Sequence, residues 1–417
     1  MLNSLIHRIC PACEAKHPLW LCGFRPFFVL TAVAAPLFIS LWIAFLAFGL
    51  PLPAVIGGPF IWHAHELIFG FGLAAVAGFT LASIPEFTAS SPVDRPTVRL
   101  LVVLWLLGRL AFWTSGLLGN LALAVSGLAH LALLGVLIAS LAPRLWNDPN
   151  RRHLSFLWSF GGLALCIAGF YLAALRGQPP GPWLDATLGV LMMLIVVAMS
   201  RISMRIVNKA IDESTVDGET ATVDYRARPP RRNLAIFCIG LYTLIELVMP
   251  GSRISGWLAL ATAAALLNLL NDWHVGRALL RRWPLMLYAV YALMAAGYGS
   301  MGLALILDGT GFSAGRHLLT VGALGLNIYV VMCIAGRIHC GYALDERRWV
   351  PIGALMLVAA ALLRAASAWA ENAGHLLLGL SGLLWAGAFL LYTWYMLPIL
   401  LAPRPDHGLG CEGVLEN

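Results

Sequence analysis

The chain reads as an all-α polytopic membrane bundle of about twelve helices, with both termini on the inner side. Three observations predict this. The 417 residues are 60% hydrophobic and only 11% charged, where soluble domains carry about 25% charged residues. Apolar runs of the length that crosses a bilayer, about 17–25 residues, recur along the whole chain. Lys and Arg gather on alternate connections, as the positive-inside rule requires.

Taken in order, residues 1–25 form an inner tail. It lacks the pattern of a cleavable signal, so the first apolar run, from Pro26, is expected to be a mature helix. Helices are expected near 26–48, 60–84, 97–114, 119–142, 154–175 and 184–204. A solvated inner linker over 205–232 carries Lys209, five acids and the run from Arg226 to Arg232. A second set follows near 233–250, 254–274, 284–307, 316–337, 350–370 and 375–400, with a tail over 401–417. No sequence repeat relates the two sets. Of the 27 Lys and Arg, only Arg176, Arg253 and Arg316 fall on connections assigned outside, and Arg109 and Arg364 fall within helices. The others lie inside. The net charge of +7 therefore belongs to inner loops and points to the lipid bilayer as partner, with no nucleic acid implied.

Eight cysteines are scattered. Cys166, Cys238 and Cys333 lie in apolar runs and read as small buried hydrophobes. Cys10-Pro-Ala-Cys13, with His7, His17 and Cys22 nearby, reads either as a soft-metal or dithiol site or as a plain tail.

Orientation converts position into depth. Trp62-His63-Ala64-His65-Glu66 opens the second helix near the outer face. His317 starts the tenth at similar depth, Arg109 and Arg364 lie in outer halves, Glu246 ends the seventh helix, and His375 starts the twelfth. His130 lies nearer mid-membrane. Ionisable groups in a bilayer are costly and mark function by default. On a helix of 3.6 residues per turn His63 and His65 point to nearly opposite faces, whereas His63 and Glu66 share one. Two sites are thus expected around helix 2, one with His65 and one with His63 and Glu66. Neutral imidazole suits iron, copper and zinc, so His63, His65, Glu66 and His317 are candidate metal ligands. His339, in Ile338-His339-Cys340-Gly341 at the inner end of helix 10, is a further one. Arg109 and Arg364 cannot shed their charge. Each either pairs with an acid or helix-end carbonyls, or binds an anion such as a haem propionate.

These residues resemble the NnrS family of bacterial haem- and copper-containing membrane proteins over nearly the whole chain. His17-Pro18-Leu19-Trp20 and Gly23-Phe24-Arg25-Pro26-Phe27-Phe28 are similar to the family's opening. The Trp62–Glu66 stretch with Phe69-Gly70, Ala77-Gly78-Phe79, Pro85, Leu107-Gly108-Arg109 and His317–Gly322 resemble further family positions. The inner-face run Arg201-Ile-Ser-Met-Arg205 lacks the family's Pro and aromatics, and Met332-Cys333-Ile334 lacks its Arg, so the chain resembles a divergent member. The resemblance implies haem, of b type, and copper as cofactors in the bacterial inner membrane. It also implies a part in handling nitric oxide or nitrosative stress, with an electron donor as partner, and leaves open whether a reaction is catalysed. Two alternatives remain. A redox enzyme like the haem–copper oxidases would use helices 2 and 10, but helices 6 and 7 here hold no His for a second metal. A transporter would show inverted repeats or paired broken helices, and neither is visible.

Overall fold

The computed structural model describes residues 17–149, 151, 153–213, 224–370, 372–408 and 411. Cys10, Cys13 and His7 lie outside them. Twelve long helices run through the described residues: α1 Phe24–Phe48, α2 Gly58–Phe87, α3 Arg95–Trp113, α4 Ser115–Trp146, α5 Ser155–Leu175, α6 Gly181–Asp212, α7 Pro229–Val248, α8 Arg253–Leu270, α9 Arg282–Ile306, α10 Phe312–Ile338, α11 Trp349–Ala366 and α12 Gly374–Leu401. Eleven are long and apolar enough to cross a membrane; the other, α7, carries Arg231, Arg232 and Glu246. The helix starts follow from their residues. Asp94 caps α3 by accepting from Thr97 N, Ser252 caps α8 by accepting from Ser255 N, and prolines sit in the first turn of α2, α3, α6 and α7, where a missing N–H costs nothing.

Burial sorts the helices into layers. The apolar windows of α2, α10 and α6 are 89%, 83% and 72% buried, against 33–56% for the others. These three form the interior. Helix α2 packs on α1, α4, α6 and α10, and α12 closes on α1, so the two six-helix sets interlock in one bundle. Both α2 and α10 contain a π-helical segment, Glu66–Gly72 and Leu318–Leu324. Each begins directly after a histidine at the outer end. Such widened turns are rare and favour functional sites.

The linker differs from its sequence expectation. Helix α6 continues to Asp212, because Ile206, Val207 and Ala210 prolong its buried face. Beyond the undescribed stretch, Tyr225 is buried and its N–H donates to Asn208 Oδ1 at 2.8 Å. Arg231 pairs with Asp272 at 2.6 Å. The inner tails are also tied down. The Arg25 guanidinium donates to the carbonyls of Leu400 and Ala402 at 3.1 and 2.6 Å, and Cys22 is disulfide-bonded to Cys411. Cys22 is therefore not available to join Cys10 and Cys13 in a thiolate site.

The α10–α11 connection is held by Asp345. Burial pushes its carboxyl up, but hydrogen bonds from the Arg347 side chain and backbone and from Trp349 Nε1 outweigh this and hold it well below the usual carboxylate range. A depressed folded-state pKa stabilises above the unfolded value, near 3.9 for Asp, and that contribution fades as pH falls below it. Melting temperatures between pH 6 and pH 3 should accordingly drop more steeply for the wild type than for Asp345→Asn. Parallel curves would contradict this role.

Candidate functional site

The ends of α1, α2, α10, α11 and α12 that the sequence assigns to the outer side line a partly open cavity, the outer cavity. Its walls are mostly apolar, including Phe71, Leu324 and Trp385, and three ionisable side chains enter it: His63, His317 and Arg364. An apolar recess with a few convergent polar groups has the character of a small-molecule or cofactor pocket. The His63 ring lies face to face with Trp42, centroids 4.2 Å apart and planes 17° apart. Its Nδ1 is buried without a hydrogen-bond partner. His317 Nδ1 donates to the Ser313 carbonyl at 2.7 Å, which fixes the tautomer and leaves Nε2 as the nitrogen with a lone pair. Arg364 donates to the hydroxyls of Ser367 and Ser313 at 3.2 and 3.3 Å. Among the described residues no carboxylate pairs with it. Ser313 thus ties His317 and Arg364 together from the first turn of α10.

On the opposite side of α2 lies a closed polar network. Helical spacing groups Glu66 with His63; the structure turns Glu66 the other way. Its Oε1 lies 2.9 Å from His65 Nδ1 and its Oε2 3.7 Å from Arg109 Nε. The cause is tertiary: Arg109 on α3 attracts the carboxylate, while the face of His63 is taken by Trp42. Arg109 also donates to His130 Nε2 on α4. Gly108 makes room for this contact, since a Cβ there would sit 2.7 Å from the His130 ring.

Donor logic assigns the protons. Ser126 Oγ donates to the Gly108 carbonyl at 2.8 Å, so it accepts from Tyr171 OH at 2.7 Å. Tyr171 then accepts from His65 Nε2–H at 2.8 Å. His65 Nδ1 and Glu66 Oε1 are left to share one more proton, as carboxylic acid and imidazole or as carboxylate and imidazolium. His130, accepting from Arg109 at Nε2, carries its proton on Nδ1 and donates to the Ser126 carbonyl at 2.7 Å. The arrangement therefore holds a proton in the interior, and both ring nitrogens of His65 are engaged.

The sequence-derived site residues thus occupy three places. His63, His317 and Arg364 share the outer cavity. His65, Glu66 and Arg109 lie in the network. His339 is at the inner face, its Nδ1 donating to the Cys411 carbonyl at 2.7 Å and its Nε2 3.5 Å from Glu86 Oε2. Among the described residues Glu246 pairs with no arginine; it accepts from Gly251 N at 3.0 Å beside a third cavity holding the Asp185–Arg316 pair. His375 borders a separate outer recess. Sequence reasoning missed Tyr171, Ser126 and Trp42, and left His130 at mid-membrane without a partner. One signal was present: Ser126 and His130 are four residues apart on α4, on one helix face.

A bundle of membrane-crossing helices with two ionisable constellations flanking one interior helix defines a multi-pass membrane protein with an internal site. The family model described as NnrS protein matches residues 18–404, and the chain belongs to that family, which links it to the nitric oxide response. No curated protein matches the chain.

Proposed function

We propose that this protein is a haem-binding component of the bacterial inner membrane that handles nitric oxide or protects against nitrosative stress, with its haem in the outer cavity. The carrying observation is the convergence of two imidazoles from facing interior helices, and an arginine without a carboxylate partner, on one apolar cavity. The residues fit the group. His317 has the second-shell hydrogen bond typical of metal-binding histidines. His63 has a buried ring nitrogen, Nδ1, that lacks a partner, a costly state that a bound group contacting that nitrogen would relieve. Arg364 suits a propionate. When bound, haem supplies one-electron redox chemistry, for which an electron donor is required. The protein's own part is to place the imidazoles, exclude water with Trp42, Phe71 and Trp385, and compensate anionic charge.

Copper finds less support. Among the described residues no group of three or more His, Cys, Asp or Glu could hold a metal ion. The experiment is the absorption spectrum and iron content of protein purified from haem-sufficient cells. A Soret band with stoichiometric iron is expected, and a colourless, iron-free preparation would falsify the reading.

A further inference from the structure

Adjoining the outer cavity lies a second, smaller one, bounded by α1, α2, α6 and α10. Every residue lining it is buried except Phe79, which is partly so. The walls are apolar, among them Ala75, Leu191, Ala198 and Ile328, and Asn327 is the one polar side chain. Protein interiors are normally packed as densely as organic crystals, so an unfilled apolar space against the three most buried helices is a place for a small occupant.

The chemistry of the walls selects one. Water needs two to four polar partners to be held, and the lining offers a single unpartnered oxygen, Asn327 Oδ1. A lipid chain or other long molecule would need a wide mouth, and every lining side chain but Phe79 is buried. Dry apolar cavities instead take small uncharged molecules such as xenon. The cavity also has neighbours at both ends. Leu324, the last residue of the π-helical segment in α10, lines both it and the outer cavity. Phe79 and Val331 line both it and an inner-face cavity that contains Glu86 and His339.

We infer that the cavity is a binding site for a small apolar gas, from which the gas reaches the outer cavity past Leu324. The purpose of the site rests on the haem reading; its existence does not. Crystals of the full chain pressurised with xenon test it directly. An anomalous peak enclosed by Ala75, Leu191, Ala198 and Ile328 is expected in the wild type and is expected to vanish in Ala198→Phe. In solution, carbon monoxide should rebind to the reduced wild type after flash photolysis faster than to Ala198→Phe, by about tenfold, which corresponds to about 1.4 kcal/mol of added barrier. Ala198→Leu serves if the larger ring disturbs folding. Absence of xenon from the wild-type cavity overturns the proposal. So does unchanged rebinding in both variants with the Soret band intact. A wild type without a Soret band overturns the haem reading alone, and the xenon peak still decides the cavity.

Discussion

Purified His317→Ala protein is expected to lose the Soret band and the iron of the wild type. The loss should be at least the 10–100-fold in affinity that removing an outer-shell partner typically costs a metal site. His317 is the better anchored of the two cavity imidazoles: Nδ1 is held by the Ser313 carbonyl at 2.7 Å, and Ser313 Oγ also receives Arg364. Its loss removes the proposed ligand while Arg364 keeps its bond to Ser313 Oγ. His63→Ala should also reduce haem, since the ring fixed against Trp42 faces the same cavity. His65→Ala is the discriminating control. Both His65 nitrogens are committed to Glu66 and Tyr171, so this variant should lose stability while keeping the spectrum. A spectrum lost in His65→Ala and retained in His317→Ala would move the ligand to the other side of α2. Arg364→Gln should retain iron with reduced occupancy, because an anionic edge would lose its charge partner.

Run length and the Lys/Arg asymmetry lead the sequence to expect these groups at similar depth. That logic alone places His63, His317 and Arg364 at one depth, and the structure brings them to one cavity. Their lateral arrangement was not legible. Glu66 sits 60° from His63 and 100° from His65 on a regular helix, a difference small enough for Arg109 on another helix to decide. The π-helical turns after His65 and His317 leave no composition signal, since Glu66–Gly72 and Leu318–Leu324 read as ordinary apolar helix. The bond between Cys22 and Cys411 spans 389 residues, and no local pattern reports such a pairing. Gly108-Arg109 shows what a motif carries: the glycine is small because the His130 ring packs on it, and the arginine next to it binds that ring.

Arg109→Met is expected to destabilise the protein by about 3–5 kcal/mol, the usual cost of removing one partner of a buried charge pair. Arg109 and Glu66 are 5% and 0% exposed, and Arg109 is also the donor that fixes the tautomer of His130. Without it, the buried Glu66–His65 pair loses the cation beside Oε2, and His130 Nε2 loses its hydrogen bond. Two companion variants separate these effects. Glu66→Gln retains a group able to donate to His65 Nδ1, so the chain through Tyr171 and Ser126 to the Gly108 carbonyl stays satisfied while Arg109 is left unpaired. The double variant Arg109→Met, Glu66→Gln removes both charges. If charge compensation dominates, the double variant should unfold at a higher temperature than either single one in detergent melts, giving a coupling energy within the usual 0.5–3 kcal/mol for contacting residues. Additive losses would show that Arg109 acts chiefly through His130. Because the network lies across α2 from the cavity, all three variants should keep the wild-type haem content wherever they fold. Loss of haem in step with the stability loss would show instead that the network and the cavity form one cooperative unit through α2.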